Sequence, residues 1–135
     1  MHVTQTPMLT HTGAMAMLAA AVAEAVRMGQ PQCIVIVDAS CVPLVEFRMT
    51  GSKPLSINSA RAKAQTAASI GAETVNIPEA VRTGIGLATG GAVTGLPGGL
   101  PIVVDGAVIG GIGIGSGSGD QDIAVAKAAL AALSA

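Results

Sequence analysis

Residues 107–115 read Ala-Val-Ile-Gly-Gly-Ile-Gly-Ile-Gly, and no other stretch limits the fold so strongly. Asp105-Gly106 just before it suits a type I′ turn, and Leu100 to Val104 is a second apolar run, so the spacing predicts a β-hairpin. Side chains alternate across a strand, which puts Val108, Ile112 and Ile114 on one face and Gly111, Gly113 and Gly115 on the other. A strand face without side chains requires something to lie almost against its backbone. Two bodies meet that requirement: a closely packed helix, or a ligand held by free backbone N–H groups.

The other elements follow from periodicity and punctuation. Thr10 is a predicted cap for a helix with Met15, Leu18, Val22 and Ala25 or Val26 on its apolar stripe, ending at Gly29 and Pro31. Cys33 to Val37 is a continuous apolar run, the pattern of a strand covered on both faces, and Val42 to Arg48 is its hairpin partner across a turn at Asp38 to Cys41. Ser56 is a predicted cap for a second helix, with Ile57, Ala60, Ala64, Ala67 and Ala68 on one stripe and Gly71 at its end. Arg61 and Lys63 flank that stripe, where long stems lie along apolar surface and charged ends reach a rim. A helical turn from Pro78 to Arg82 leads into Thr83 to Gly99, whose seven glycines predict a long irregular loop of the kind that often carries function. Ser118 and Gln121 form a capping box for a last helix with Ile123, Ala126, Leu130 and Leu133 inward. Hairpins pair antiparallel, so the expected class is α+β: a three-layer α/β/α sandwich around a central antiparallel sheet, one domain over residues 1–135.

Charge is scarce, at 11% Asp, Glu, Lys and Arg, while 50% of the residues are hydrophobic. A small domain with so little ionic surface is expected to hide apolar area in a homo-oligomer. The longest apolar helix candidate, Gly13 to Val26, is too short to span a bilayer, so no membrane partner is expected. The start shows no basic region and cleavage site of an export signal, which with two scattered cysteines leads to an expectation of a cytoplasmic protein. A net charge of −1 and one aromatic residue argue against nucleic acid as a partner.

Candidate chemistry is spread thinly. His11, in the first turn of the first helix, is a candidate axial ligand or proton shuttle, against a solvated histidine at a helix start. Arg48, Lys53, Arg61 and Lys63 concentrate positive charge that suits a carboxylate or a haem propionate, or else ion pairs with Glu46, Glu73 or Asp122. Asp120 and Asp122 fall where carboxylates complement a helix dipole. Gly98, Gly99 and Gly113 are candidate cofactor-binding positions through their backbone, but neither a GxGxxG nor a GxxxxGK[ST] pattern occurs. No metal-ligand spacing and no nucleophile with its base are visible.

Taken in order, Val37-Asp38, Phe47-Arg48-Met49, Lys63-Ala64-Gln65-Thr66-Ala67, Gly98-Gly99-Leu100-Pro101-Ile102, Asp105-Gly106, Ile109-Gly110-Gly111-Ile112-Gly113 and Gln121-Asp122 resemble the GlcG/HbpS-like family. The resemblance implies an α/β/α sandwich, higher oligomers, and haem or iron binding in some members. It favours Arg48 and Lys63 within the basic cluster, since both lie in the matching segments, and it extends to Asp122. Cys41 stands where the family usually has glycine. Two functions are expected on this footing. One is an oligomeric binding protein of a catabolic pathway that holds haem or a small anionic metabolite. The other is a cofactor-independent enzyme in which Lys63 or His11 moves a proton on a small carboxylate, with Arg48 beside them.

Overall fold

The computed structural model describes residues 1–133. In chain order the elements are α1 (His11–Met28), β1 (Cys33–Asp38), β2 (Pro43–Arg48), α2 (Ser56–Ile70), α3 (Arg82–Ala88), β3 (Gly99–Val104), β4 (Ala107–Gly115) and α4 (Gly119–Ala131). The four strands form one antiparallel sheet in the order β2-β1-β4-β3, so the two hairpins meet at the central β1–β4 pair.

Register decides which residues face which layer. Cys33, Val35 and Val37 of β1 lie opposite Gly115, Gly113 and Gly111 of β4. On that face the body against the bare strand is α2, whose Ala60, Ala64 and Ala67 are fully buried. The approach is nearly backbone to backbone: a Cβ on Gly113 would overlap the Ala60 carbonyl oxygen and stand 2.6 Å from the Ala64 nitrogen. Small residues on both sides gain dispersion contacts that larger ones would prevent by clashing.

On the opposite face Ile34, Ile36, Ile102, Ile112 and Ile114 form the main core with α1 and α4. Each fully buried side chain of this size contributes about 1.5–3 kcal/mol by leaving water. The architecture is therefore the expected α+β fold, three layers with α2 alone on one side and α1 with α4 on the other.

Local chemistry explains the boundaries. Thr10 accepts the Gly13 N–H at 3.1 Å to cap α1, and Gly29 ends it in the left-handed conformation. Asp105 and Gly106 have φ of 51° and 77°, the pair of positive values a type I′ turn needs. The β1–β2 turn is pinned by Asp38, whose Oδ1 accepts the N–H groups of Ser40 and Val42 at 2.8 and 3.1 Å. Cys41 follows in the left-handed region with φ of 66°, which is why a glycine suits that position. Ser118 and Gln121 form the expected capping box of α4.

Three expectations are corrected. In α1 the buried positions are Ala14, Met17, Ala21 and Ala25, whereas Met15 and Val26 are exposed. Three alanines and Met17 face inward where the helix packs on α4, while Leu18 and Val22 of the expected stripe are only partly buried against the core. Ser56 does not cap α2 with its hydroxyl: its own N–H donates to the Lys53 carbonyl at 3.0 Å, and the helix starts from Leu55. The glycine-rich stretch from Thr83 is not all loop, since α3 occupies its first part. Glycine weakens a helix by about 1 kcal/mol each, but this one is anchored by Arg82, which donates to the Ile77 and Val75 carbonyls at 3.0 and 3.2 Å.

Among the described residues no helix is long and apolar enough to cross a membrane.

Candidate functional site

Lys63 projects from the middle of α2 and was expected at a rim. The structure instead buries it, with 5% of its surface exposed, at the end of the sheet where its side chain reaches the start of α4. Its Nζ donates to the Ile114 carbonyl at 2.6 Å and to Asp122 Oδ2 at 3.1 Å. Asp122, in the first turn of α4, is equally buried, and its Oδ1 accepts the Gly117 N–H at 3.1 Å. Burial pushes the Asp122 carboxyl above the ordinary carboxylate range, against the opposing pull of the Lys63 ammonium and the Gly117 N–H.

The glycines singled out in the sequence divide into two groups. Gly98 and Gly99 wrap the Lys63–Asp122 pair: a Cβ on Gly98 would stand 2.7 Å from Asp122 Cβ and 3.3 Å from Lys63 Nζ, and one on Gly99 2.5 Å from the Lys63 carbonyl oxygen. They make room for the pair. Gly113 lies beneath α2, with its open face filled by that helix.

Above the pair lies a polar cleft of about 260 Å³, bounded by Lys53, Ser56, Ser59, Leu96, Pro97, Ser116, Gly117 and Gly119, with Lys63 and Asp122 at its floor. The first turns of α2 and α4 both end on it. Lys53 forms no ion pair among the described residues, whereas Lys63 is neutralised by Asp122. The cleft therefore carries one uncompensated positive charge. Behind it Gln32 is fully buried, and among the described residues neither of its side-chain amide atoms has a hydrogen-bond partner. That amide faces Gly117, where a Cβ would stand 2.7 Å from Gln32 Nε2. It lies beside Asp122, near enough to favour the carboxylate but outside hydrogen-bond geometry.

Other sequence candidates fall elsewhere. Arg48 is exposed on the edge strand β2 and borders none of the clefts described here. Arg61 pairs with Glu46 at 2.5 Å, one of the ion pairs anticipated for the basic cluster. His11 is exposed at the start of α1, in the layer across the sheet from α2, so it shares no site with Lys63. The glycine-rich segment lines a separate cleft of about 560 Å³ beside α3, walled by Leu87, Val93 and Leu96.

Gln32 escaped the sequence reading, and Ser116 reads there as a helix cap, a role that Ser118 takes instead. One signal for each was present: a glutamine directly before a fully apolar strand, and a serine inside a glycine run.

The residues lining these clefts include no His, Cys, Met or Tyr, so they offer iron no axial ligand. Both imidazoles of the chain, His2 and His11, are exposed. Among the described residues no three His, Cys, Asp or Glu side chains gather as a metal site would need.

Known proteins share this fold. The GlcG protein of Escherichia coli strain K12 is 36% identical over 106 residues, covering 78% of this chain and 79% of its own. The Klebsiella pneumoniae protein ORFY superposes with a TM-score of 0.93 at 28% identity, covering 100% of this chain and 97% of that one. A structure of PduOC in complex with haem gives a TM-score of 0.87 at 31% identity, covering 93% of this chain and 95% of that one. A family described as haem-degrading protein HbpS-like matches residues 9–131, and the chain belongs to this GlcG/HbpS-like family.

Proposed function

We propose that this protein binds a small organic carboxylate, of two to four carbons, in the cleft above the Lys63–Asp122 pair. The observation that carries the reading is that Lys53, which has no ion-pair partner among the described residues, lines a cleft over an already neutralised pair that is too small for a bulky ligand. Helix dipoles from α2 and α4 add to the attraction. Succinate and acetate, titrated by calorimetry, should bind to the wild-type protein, and Lys53→Ala should weaken that binding about tenfold through loss of a charge-assisted hydrogen bond. Absence of binding by both acids would end this reading.

Haem is the second reading, favoured by the likeness to PduOC, whose structure is a haem complex. The residues lining the clefts do not fit axial ligation, so haem added to wild-type protein and to His11→Ala should give the same Soret spectrum. A wild-type Soret shift that disappears in His11→Ala would favour haem over the carboxylate.

The protein acts as a homo-oligomer in this proposal. Residues 83–104 carry no charged side chain, and Leu87 and Leu96 stand 80% and 52% exposed there beside the large cleft. A second copy covers this apolar surface, since lone charges at its edge would not keep it in water. Sedimentation should show an assembly larger than the monomer, shifted toward the monomer by Leu87→Asp; a wild-type monomer at high concentration contradicts the proposal.

A further inference from the structure

Ser116 has a φ of 93°, a conformation that favours glycine strongly over any residue with a Cβ. Its neighbours Gly115 and Gly117 have no positive φ. The run Gly115-Ser116-Gly117 therefore puts its one side chain on the residue whose backbone disfavours it. Backbone geometry alone would select glycine at 116, so the hydroxyl is retained for something else.

The surroundings hold that hydroxyl in one orientation. Ser116 Oγ accepts the Lys53 N–H at 2.9 Å. The Ser116 carbonyl accepts Gln30 Nε2 at 3.2 Å. With its oxygen occupied as an acceptor, the hydroxyl has a proton that goes to no acceptor among the described residues, and the side chain borders the cleft. The next residue, Gly117, is backed by the buried, unpartnered amide of Gln32. Lys53 lines the same cleft.

We infer that Ser116 is the specificity-determining donor of the cleft: its O–H binds one oxygen of the ligand's carboxylate while Lys53 supplies the charge. This rests on the carboxylate reading above. A donor fixed in advance loses little rotamer freedom on binding, which is a physical reason for tolerating the strain.

Two variants with opposite effects on the backbone test it. Ser116→Gly relieves the strain and Ser116→Ala keeps it, and both remove the hydroxyl. Melting temperature should be higher for Ser116→Gly than for Ser116→Ala, yet both should lose affinity for succinate by about tenfold relative to wild type. Equal losses despite different stabilities identify the hydroxyl as the cause. Wild-type affinity in Ser116→Gly, or a loss confined to Ser116→Ala, overturns the inference. The carboxylate reading is judged separately by wild-type binding and by Lys53→Ala, so the two fail in distinguishable ways; a wild type that binds neither acid defeats both.

Discussion

Lys63→Met should destabilise the protein by about 3–5 kcal/mol at neutral pH, because it leaves the Asp122 carboxylate buried without its ammonium partner. For a chain of this size that corresponds to a fall in melting temperature on the order of 10 °C or more. The loss has a definite pH dependence. With Lys63 gone, burial still raises the Asp122 pKa and the main opposing influence is absent. A carboxyl whose folded pKa exceeds its unfolded value binds more protons in the folded state, so stability increases as pH falls through the folded value. The variant should therefore recover part of its deficit as pH falls from neutrality toward the ordinary carboxylate range, where wild type gains less. The double variant Lys63→Met/Asp122→Leu should recover most of the loss at neutral pH, since replacing both charges by apolar groups removes the stranded one. Urea unfolding at several pH values measures all of this. A Lys63→Met protein within 1 kcal/mol of wild type at every pH would mean that the pair is hydrated in solution.

The second large effect belongs to Gly113→Ala. One methyl group there would overlap the Ala60 carbonyl oxygen and stand 2.6 Å from the Ala64 nitrogen. Both obstacles are backbone, so no side chain can rotate away, and α2 would have to lift from the sheet. The cost should exceed about 4 kcal/mol, seen as an unfolded or aggregated product on expression. Gly84→Ala is the matched control: nothing lies within 4 Å of the added carbon, and the residue sits in α3 without a positive φ. It should stabilise the protein by about 0.5–1 kcal/mol. If thermal melting ranks the two variants the other way, the close α2–β4 packing is not what the solution structure contains.

These two variants also show how much could be read from residues alone. The bare face of β4 was legible because its cause is local, a period of two in the sequence, and the requirement for a close neighbour followed from it. That the neighbour is α2 was not legible, since a ligand would have met the same requirement. The alanine stripe of α2 pointed the same way without naming its partner. In the site, the wrapping glycines and Asp122 were marked by the matching segments, but Arg48, favoured on the same basis as Lys63, and His11, proposed from its place at a helix start, lie apart from it. Residue type told where charge was available and not which charges would meet.

Hairpin turns, the caps of α1 and α4, the helix and strand periods and the shortage of charge belong to the sequence by itself, because each depends on residues near in the chain. Burial of Lys63, the inward face of α1, the existence of α3 and the shape of the cleft were decided only by tertiary structure. The Lys63–Asp122 pair spans 59 residues of chain, and it forms only because antiparallel pairing brings the end of β4 beside α2. Desolvation and hydrogen bonding act on distances in space, and those distances are set once the layers have packed.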